Sequence, residues 1–277
     1  MMNHTPQLFV LISTIDDGIL HVADVLLPCE KGVRYVVSWQ QTSSGLKCPP
    51  ELQRSDVTVS PMEGRGLSRN RNHAMEVALS LLDDELEDVV FIVADDDERL
   101  SADALKQVRK LYAEQPKLDV VLWQMASSED GQLLKPYPTQ PTEYRHRPRS
   151  YYASSVEMTF RSRVFMSGVR FDERFGLGSE RLSAGEEAVF LEEAQRKGLR
   201  IWIYPQILCS TRRATTGRNV LDVKALRSKG AIYGYTHSLV GAFFRSLREA
   251  LSLAWRNQCA VTPLFNNIWY GVKYIRR

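Results

Sequence analysis

Along the first 210 residues, short uninterrupted apolar runs alternate with stretches of helical periodicity, and this pattern leaves few folds open. Leu8-Phe-Val-Leu-Ile-Ser13, Arg34-Tyr-Val-Val-Ser38 and Asp88-Val-Val-Phe-Ile-Val-Ala94 show no polar alternation. A strand with one wet face alternates polar and apolar side chains, whereas one covered on both faces does not. Asp56–Ser60, Leu118–Trp123, Glu157–Arg161 and Ile201–Tyr204 read as further strands, the last ended by Pro205. Between them, a helix is expected from Arg69, capped by Ser68, with Met75, Ala78, Leu79 and Leu82 on one face. Others are expected over Ser101–Gln115, Val164–Ser167 and Glu186–Lys197, the last stopped by Gly198. Strands alternating with helices predict an α/β fold with a mainly parallel sheet flanked by helices. Beyond Leu221 the periodicity is helical only, which divides the chain into domains 1–220 and 221–277.

At 277 residues the chain needs no covalent staples to bury a core. Its four cysteines, Cys29, Cys48, Cys209 and Cys259, lie far apart, which argues against a zinc ribbon or a disulfide framework and for a reducing compartment. Met1–Gln7 is polar and leads straight into a strand, so no signal peptide is expected. The net charge of +3 conceals an asymmetry. Residues 212–277 hold twelve Lys and Arg against Asp222 and Glu249, a net of +10, leaving −7 on the rest. A basic tail seeks an anionic partner or folds back on the acidic body.

Parallel sheets gather functional loops beyond the carboxyl ends of their strands. Three segments therefore stand out: those following Ser38, Ala94 and Tyr204. After Ala94 comes Asp95-Asp-Asp97. Three adjacent carboxylates repel one another unless a cation neutralises them, and oxygen-only ligands suit Mg²⁺ or Mn²⁺. The other reading is a solvated acidic turn favouring a helix N-terminus. Gly64-Arg-Gly-Leu-Ser-Arg-Asn-Arg-Asn72 sets Arg65, Arg69 and Arg71 around a helix start, suited to a diphosphate or simply solvated. In Gly185-Glu-Glu187 the glutamates complement a helix dipole, or one serves as general base. The five histidines show no metal-ligand spacing, and His73 reads as a surface residue.

Taken in order, Gly66-Leu-Ser-Arg-Asn-Arg-Asn72, Val-Ala-Asp-Asp-Asp97 and Phe171-Asp-Glu-Arg-Phe-Gly176 followed by Gly185-Glu-Glu-Ala-Val-Phe-Leu191 resemble the motifs of bacterial family 2 glycosyltransferases. The resemblance covers roughly residues 8–210 and implies a GT-A (Rossmann-like) nucleotide-sugar-binding and catalytic domain, with a helical C-terminal extension. It implies Asp97 as principal metal ligand, with Asp95 near the ribose or the metal's water shell and Asp96 beside them at the donor. It implies Glu187 as catalytic base, one methylene longer than the family's usual Asp, with Glu186 as the rival. Arg65, Arg69 and Arg71 become diphosphate ligands. The family commonly has an Asp after strand two; here Ser38-Trp-Gln-Gln41 stands there, so Trp39 either stacks on the base or belongs to the core. In Ser210–Arg218, hydroxyls and arginines replace the metal-binding His of some relatives.

The function so implied is inverting, metal-dependent transfer of a sugar from a nucleotide diphosphate sugar, UDP-sugar favoured. The acceptor is a glycan or lipid-linked hydroxyl, in bacterial surface polysaccharide or lipopolysaccharide assembly. The alternative is a non-catalytic relative binding sugar nucleotide or glycan within an assembly complex. No nucleic-acid partner is expected, and the place of action is the cytoplasm, at the inner face of the cell membrane. In the tail, Val240, Phe243, Phe244, Leu247, Leu251 and Ala254 recur at helical spacing, interrupted by Arg245, Arg248 and Glu249. Arginine at a bilayer centre costs about 2.5–3.5 kcal/mol, so this helix should not cross a membrane. It either packs on the catalytic domain or lies on an anionic membrane surface.

Overall fold

The computed structural model describes residues 5–42, 45–82, 89–212 and 221–277. They form two compact units. The first comprises residues 1–65, 70–170 and 193–214, and the second residues 66–69, 171–192 and 215–277. The segment carrying Glu186 and Glu187 groups with the C-terminal helices.

The first unit holds a nine-stranded sheet. Its strands are β1 (Leu8–Ile15), β2 (Val33–Gln41), β3 (Val57–Glu63), β4 (Val90–Asp95), β5 (Arg99–Leu100), β6 (Val120–Ser127), β7 (Thr142–Glu143), β8 (Met158–Arg161) and β9 (Ile201–Thr211). The order is β3-β2-β1-β4-β8-β6-β9-β5, with β7 also on β9. Strands β3, β2, β1 and β4 run parallel, as do β6 and β9, while β8 is antiparallel to both its neighbours. The apolar runs are buried on both faces, as their lack of alternation predicts. On one face, Phe9, Phe91 and Phe160 form a ladder of edge-to-face rings across β1, β4 and β8, with centroids 6.2 and 5.8 Å apart. Thr159 ties β8 in place: its carbonyl accepts from Tyr112 (2.9 Å) and its hydroxyl from the Trp123 indole (2.8 Å).

The helices follow their caps and periodicities. They are α1 (Leu67–Ser80), α2 (Ala102–Glu114), α3 (Ser162–Met166), α4 (Glu186–Arg196), α5 (Val223–Thr236), α6 (Leu239–Asn257) and α7 (Val261–Ile275). Ser101 caps α2 by accepting from the Ala104 amide at 3.0 Å. Two expectations fail locally. Ser68 is not the cap of α1 but lies within its first turn, where its hydroxyl donates to the Phe175 carbonyl at 2.8 Å. Pro205 does not end β9. The register with β6 shifts after Leu122, which pairs with Ile203, to Gln124, which pairs with Ile207. The bulge takes up the residue that cannot donate to the ladder, and the strand continues.

In the second unit, α5 and α7 approach through Gly230 and Gly271. A Cβ on Gly230 would overlap the Ile268 carbonyl, and one on Gly271 the Arg227 carbonyl. Helix α6 joins them through Ala250, Leu253 and Ala254, packed with Leu226, Leu264 and Ile268. Among the described residues, no helix is long and apolar enough to cross a membrane.

Candidate functional site

Asp95 is the last residue of β4 and pairs in register with Ser13 of the neighbouring β1, so the acidic triplet leaves the sheet at the carboxyl ends of its parallel strands. The loop after β1 is built around it. Thr14 Oγ1 donates to Asp96 Oδ2 at 2.5 Å. Asn70 Nδ2 holds the Thr14 carbonyl at 2.9 Å. Asp16 sits at φ +48°, a left-handed conformation that short polar side chains tolerate. Its Oδ1 accepts the Thr42 amide (2.7 Å), its Oδ2 the Thr42 hydroxyl (2.5 Å), and its carbonyl the Trp39 indole (2.9 Å).

This geometry corrects two expectations. Trp39 is only 2% exposed and lies in the hydrophobic core, so it offers no face to a nucleobase; it anchors Asp16 instead. Arg71 does not project from the helix start as a diphosphate ligand. It is buried, with Nη2 at 3.3 and 3.4 Å from the two carboxylate oxygens of Asp95. It therefore acts as countercharge to the triplet. Arg65 and Arg69 are exposed. His73 is half-buried, with Nε2 2.9 Å from the Ser60 hydroxyl.

Burial, with a smaller contribution from the neighbouring carboxylates, pushes the Asp96 and Asp97 carboxyls above the usual range. Glu98, buried behind them, is raised for the same reasons. Its Oε2 accepts the Asp95 amide at 3.3 Å. Adjacent carboxylates that raise one another's proton affinity would be relieved by a divalent cation, and their oxygen-only donor set is of the kind Mg²⁺ or Mn²⁺ takes. Among the described residues, no three His, Cys, Asp or Glu side chains form a ready metal cage. A hard cation here would take one or two carboxylates from the protein and its other ligands from phosphate and water, the usual way of Mg²⁺.

Sequence reading missed the loop after β1. Its signal was available: the carboxyl end of β1 belongs to the same edge as those of β2 and β4. Gly18 in that loop faces Asp96, and a Cβ there would collide with Asp96 Oδ2 and lie 2.6 Å from Thr14 Oγ1. Gly18→Ala is expected to cost about 1–3 kcal/mol through this overpacking. Thermal unfolding would register the loss, and an unchanged midpoint would mean that the loop yields freely.

In the second unit, Glu186 and Glu187 open α4 where carboxylates favour the helix dipole. Glu186 is buried. Gly176, at φ +97°, lets the chain pass so close that a Cβ would sit 3.2 Å from the Glu186 carboxyl carbon and 3.1 Å from Ser68 Oγ. Glu187 is half-buried and reaches solvent. Of the Ser210–Arg218 stretch, the part from Arg213 onward lies outside the described residues.

No family model matches the chain, and no curated protein does so. Solved structures do. The structure of S. aureus TarS 1–349 in complex with UDP-GlcNAc superimposes with a TM-score of 0.59 at 16% identity, over 95% of this chain and 79% of that one. TarS 1–349 in complex with UDP gives 0.55 at 15% identity, over 92% and 73%. Against a longer TarS chain the score is 0.56 at 14% identity, covering 90% of this chain but only 43% of that one. The fold is GT-A-like: a curled mixed sheet flanked by helices, with further helices at the C-terminus.

Proposed function

We propose that this chain is a glycosyltransferase that moves a sugar, with inversion, from a nucleotide diphosphate sugar to an acceptor hydroxyl. The observation that carries the reading is the acidic triplet Asp95–Asp97 at the carboxyl end of β4 on a GT-A-like sheet, with Asp95 beside Arg71 and Asp96 held by Thr14. The UDP and UDP-GlcNAc complexes of TarS favour a UDP-sugar as donor. Asp97, with Asp95, would hold Mn²⁺ or Mg²⁺, which when bound supplies a Lewis acid toward the departing diphosphate. Arg65 and Arg69 approach the diphosphate as guanidinium forks. Asp96, held by Thr14, keeps the loop in shape.

Glu187 takes the acceptor's hydroxyl proton. The freed oxygen lone pair forms the new bond to the anomeric carbon, on the face opposite the bond to the diphosphate. That bond breaks, and the nucleoside diphosphate leaves with its electron pair. Glu187 suits this role better than Glu186, because a base must come within hydrogen-bond reach of the acceptor hydroxyl and Glu186 is enclosed. The acceptor is a glycan or a lipid-linked glycan, and the pathway is assembly of a bacterial surface polysaccharide in the cytoplasm.

The reading is tested by measuring nucleoside diphosphate release from a panel of sugar nucleotides, with acceptor and with or without Mn²⁺. Metal-dependent release from at least one donor is expected. Tight donor binding without release from any would favour the non-catalytic alternative. Asp97→Asn should weaken Mn²⁺-dependent donor binding by roughly tenfold or more, the loss of a charge-assisted ligand, while leaving the unfolding midpoint unchanged. Wild-type turnover by this variant at limiting metal would remove Asp97 from the site.

A further inference from the structure

Helix α6 divides into three faces. At roughly 100° per residue, Ala242, Ser246, Ala250, Leu253 and Ala254 occupy one side and are buried. Adjacent to them, within about an 80° arc, lie Val240, Phe244, Leu247, Leu251 and Trp255. Four of these are strongly exposed: Val240 at 66%, Phe244 at 63%, Leu251 at 52% and Trp255 at 87%. Next around the helix come Arg248, Arg245 and Arg256, all exposed. The single carboxylate of the helix, Glu249, lies at the far edge of the arginine arc, turned from the apolar stripe, and is held by Lys229 at 2.6 Å. The side opposite the arginines is bounded by Phe243, whose ring meets those of Phe265 and Trp269 at 5.7 and 5.6 Å.

We infer that this face of α6 is a docking surface for an anionic lipid bilayer, on which the helix lies in the plane of the headgroups. An exposed apolar stripe of this length costs hydration free energy unless something covers it. The stripe is the convex side of one helix rather than a groove, so its partner must supply the concavity or deform to accept it, as a bilayer does. Its cationic edge selects the sign of that partner. Residues 221–277 carry nine Lys and Arg against Asp222 and the paired Glu249. A second copy of the chain is a poor occupant, because stripe-to-stripe pairing would bring two sets of Arg245, Arg248 and Arg256 together. Trp255, at the end of the stripe, has the amphipathic ring suited to the headgroup level. The inference goes beyond the sugar-transfer reading and does not depend on it.

Vesicle co-sedimentation of the full chain tests the surface. Binding is expected to vesicles of phosphatidylcholine with phosphatidylglycerol at low salt, to fall at high salt, and to be absent with phosphatidylcholine alone. Each Arg→Gln change at 245, 248 or 256 should weaken binding about fivefold, the usual worth of a basic residue near such a surface. The double variant F244S/W255S, which alters only exposed positions, should abolish binding while keeping the wild-type unfolding midpoint. Absence of binding at low salt, or equal binding by the double variant, would overturn the inference. So would a concentration-dependent dimer that the double variant dissolves, since the stripe would then be a self-interface.

Discussion

Glu187→Gln is expected to lower turnover by roughly 10² to 10⁴, the scale of general-base catalysis, with donor affinity almost unchanged. The amide keeps the shape of the side chain but cannot accept the acceptor's proton. The effect should therefore appear in kcat rather than in the donor KM. Glu186→Gln tests the same segment from the other side. Glu186 is enclosed against Gly176 and Ser68, so its substitution should lower the unfolding midpoint as well as activity. If Glu186→Gln folds normally and loses more turnover than Glu187→Gln, the two roles must be exchanged.

The largest effect on stability is expected at Lys135. Its ammonium is buried 2.7 Å from Glu157 Oε1 and donates to the Tyr152 carbonyl at 2.5 Å. The rings of Tyr137, Tyr151 and Tyr152 surround it, at 5.2, 5.2 and 4.2 Å from centroid to Nζ. Glu157 also accepts from Tyr137 (2.5 Å) and from the Ser154 amide (3.3 Å). Lys135→Met removes the cation and leaves its carboxylate buried, which typically costs about 3–5 kcal/mol. The cost should depend on pH. Burial raises the Glu157 carboxyl even with Lys135 present, and removing the ammonium raises it further. A carboxyl raised in the folded state binds protons more tightly there, so stability is retained at low pH and lost as pH rises through the folded value. The variant should thus approach the wild type in acid and diverge from it toward neutrality. A pH-independent difference in unfolding free energy would show that Glu157 is not the group left behind.

How much of this was legible in the sequence depends on whether the signal was local. Val90–Ala94 announced a doubly covered strand because five consecutive apolar residues leave no wet face. The helices over Ala102–Glu114 and Leu239–Asn257 announced themselves through apolar residues at helical spacing. The acidic triplet was legible for the same reason, since it follows such a strand directly. What was lost depends on partners distant in sequence. Trp39 reads alike as core or as stacking platform until β1 lies beside β2 and presents the Asp16 carbonyl to it. Arg71 reads as a ligand of diphosphate until Asp95 is found beside it. Pro205 reads as a strand end because the bulge that absorbs it is a matter of register with β6. The Lys135–Glu157 pair joins positions across a loop whose Pro, Tyr and Arg content signals only irregularity.

The placement of β8 bears on how the molecule is made. A ribosome releases β4 and then β6, yet these two never touch side by side: β8, translated later, comes between them. In a nascent chain ending before Met158, the flank of β4 that β8 covers has no partner strand. Such a flank is a template for strand addition by another chain. The four residues Met158–Arg161 pair with β4 on one side and β6 on the other, so the two halves of the sheet are joined only once this late segment has left the ribosome.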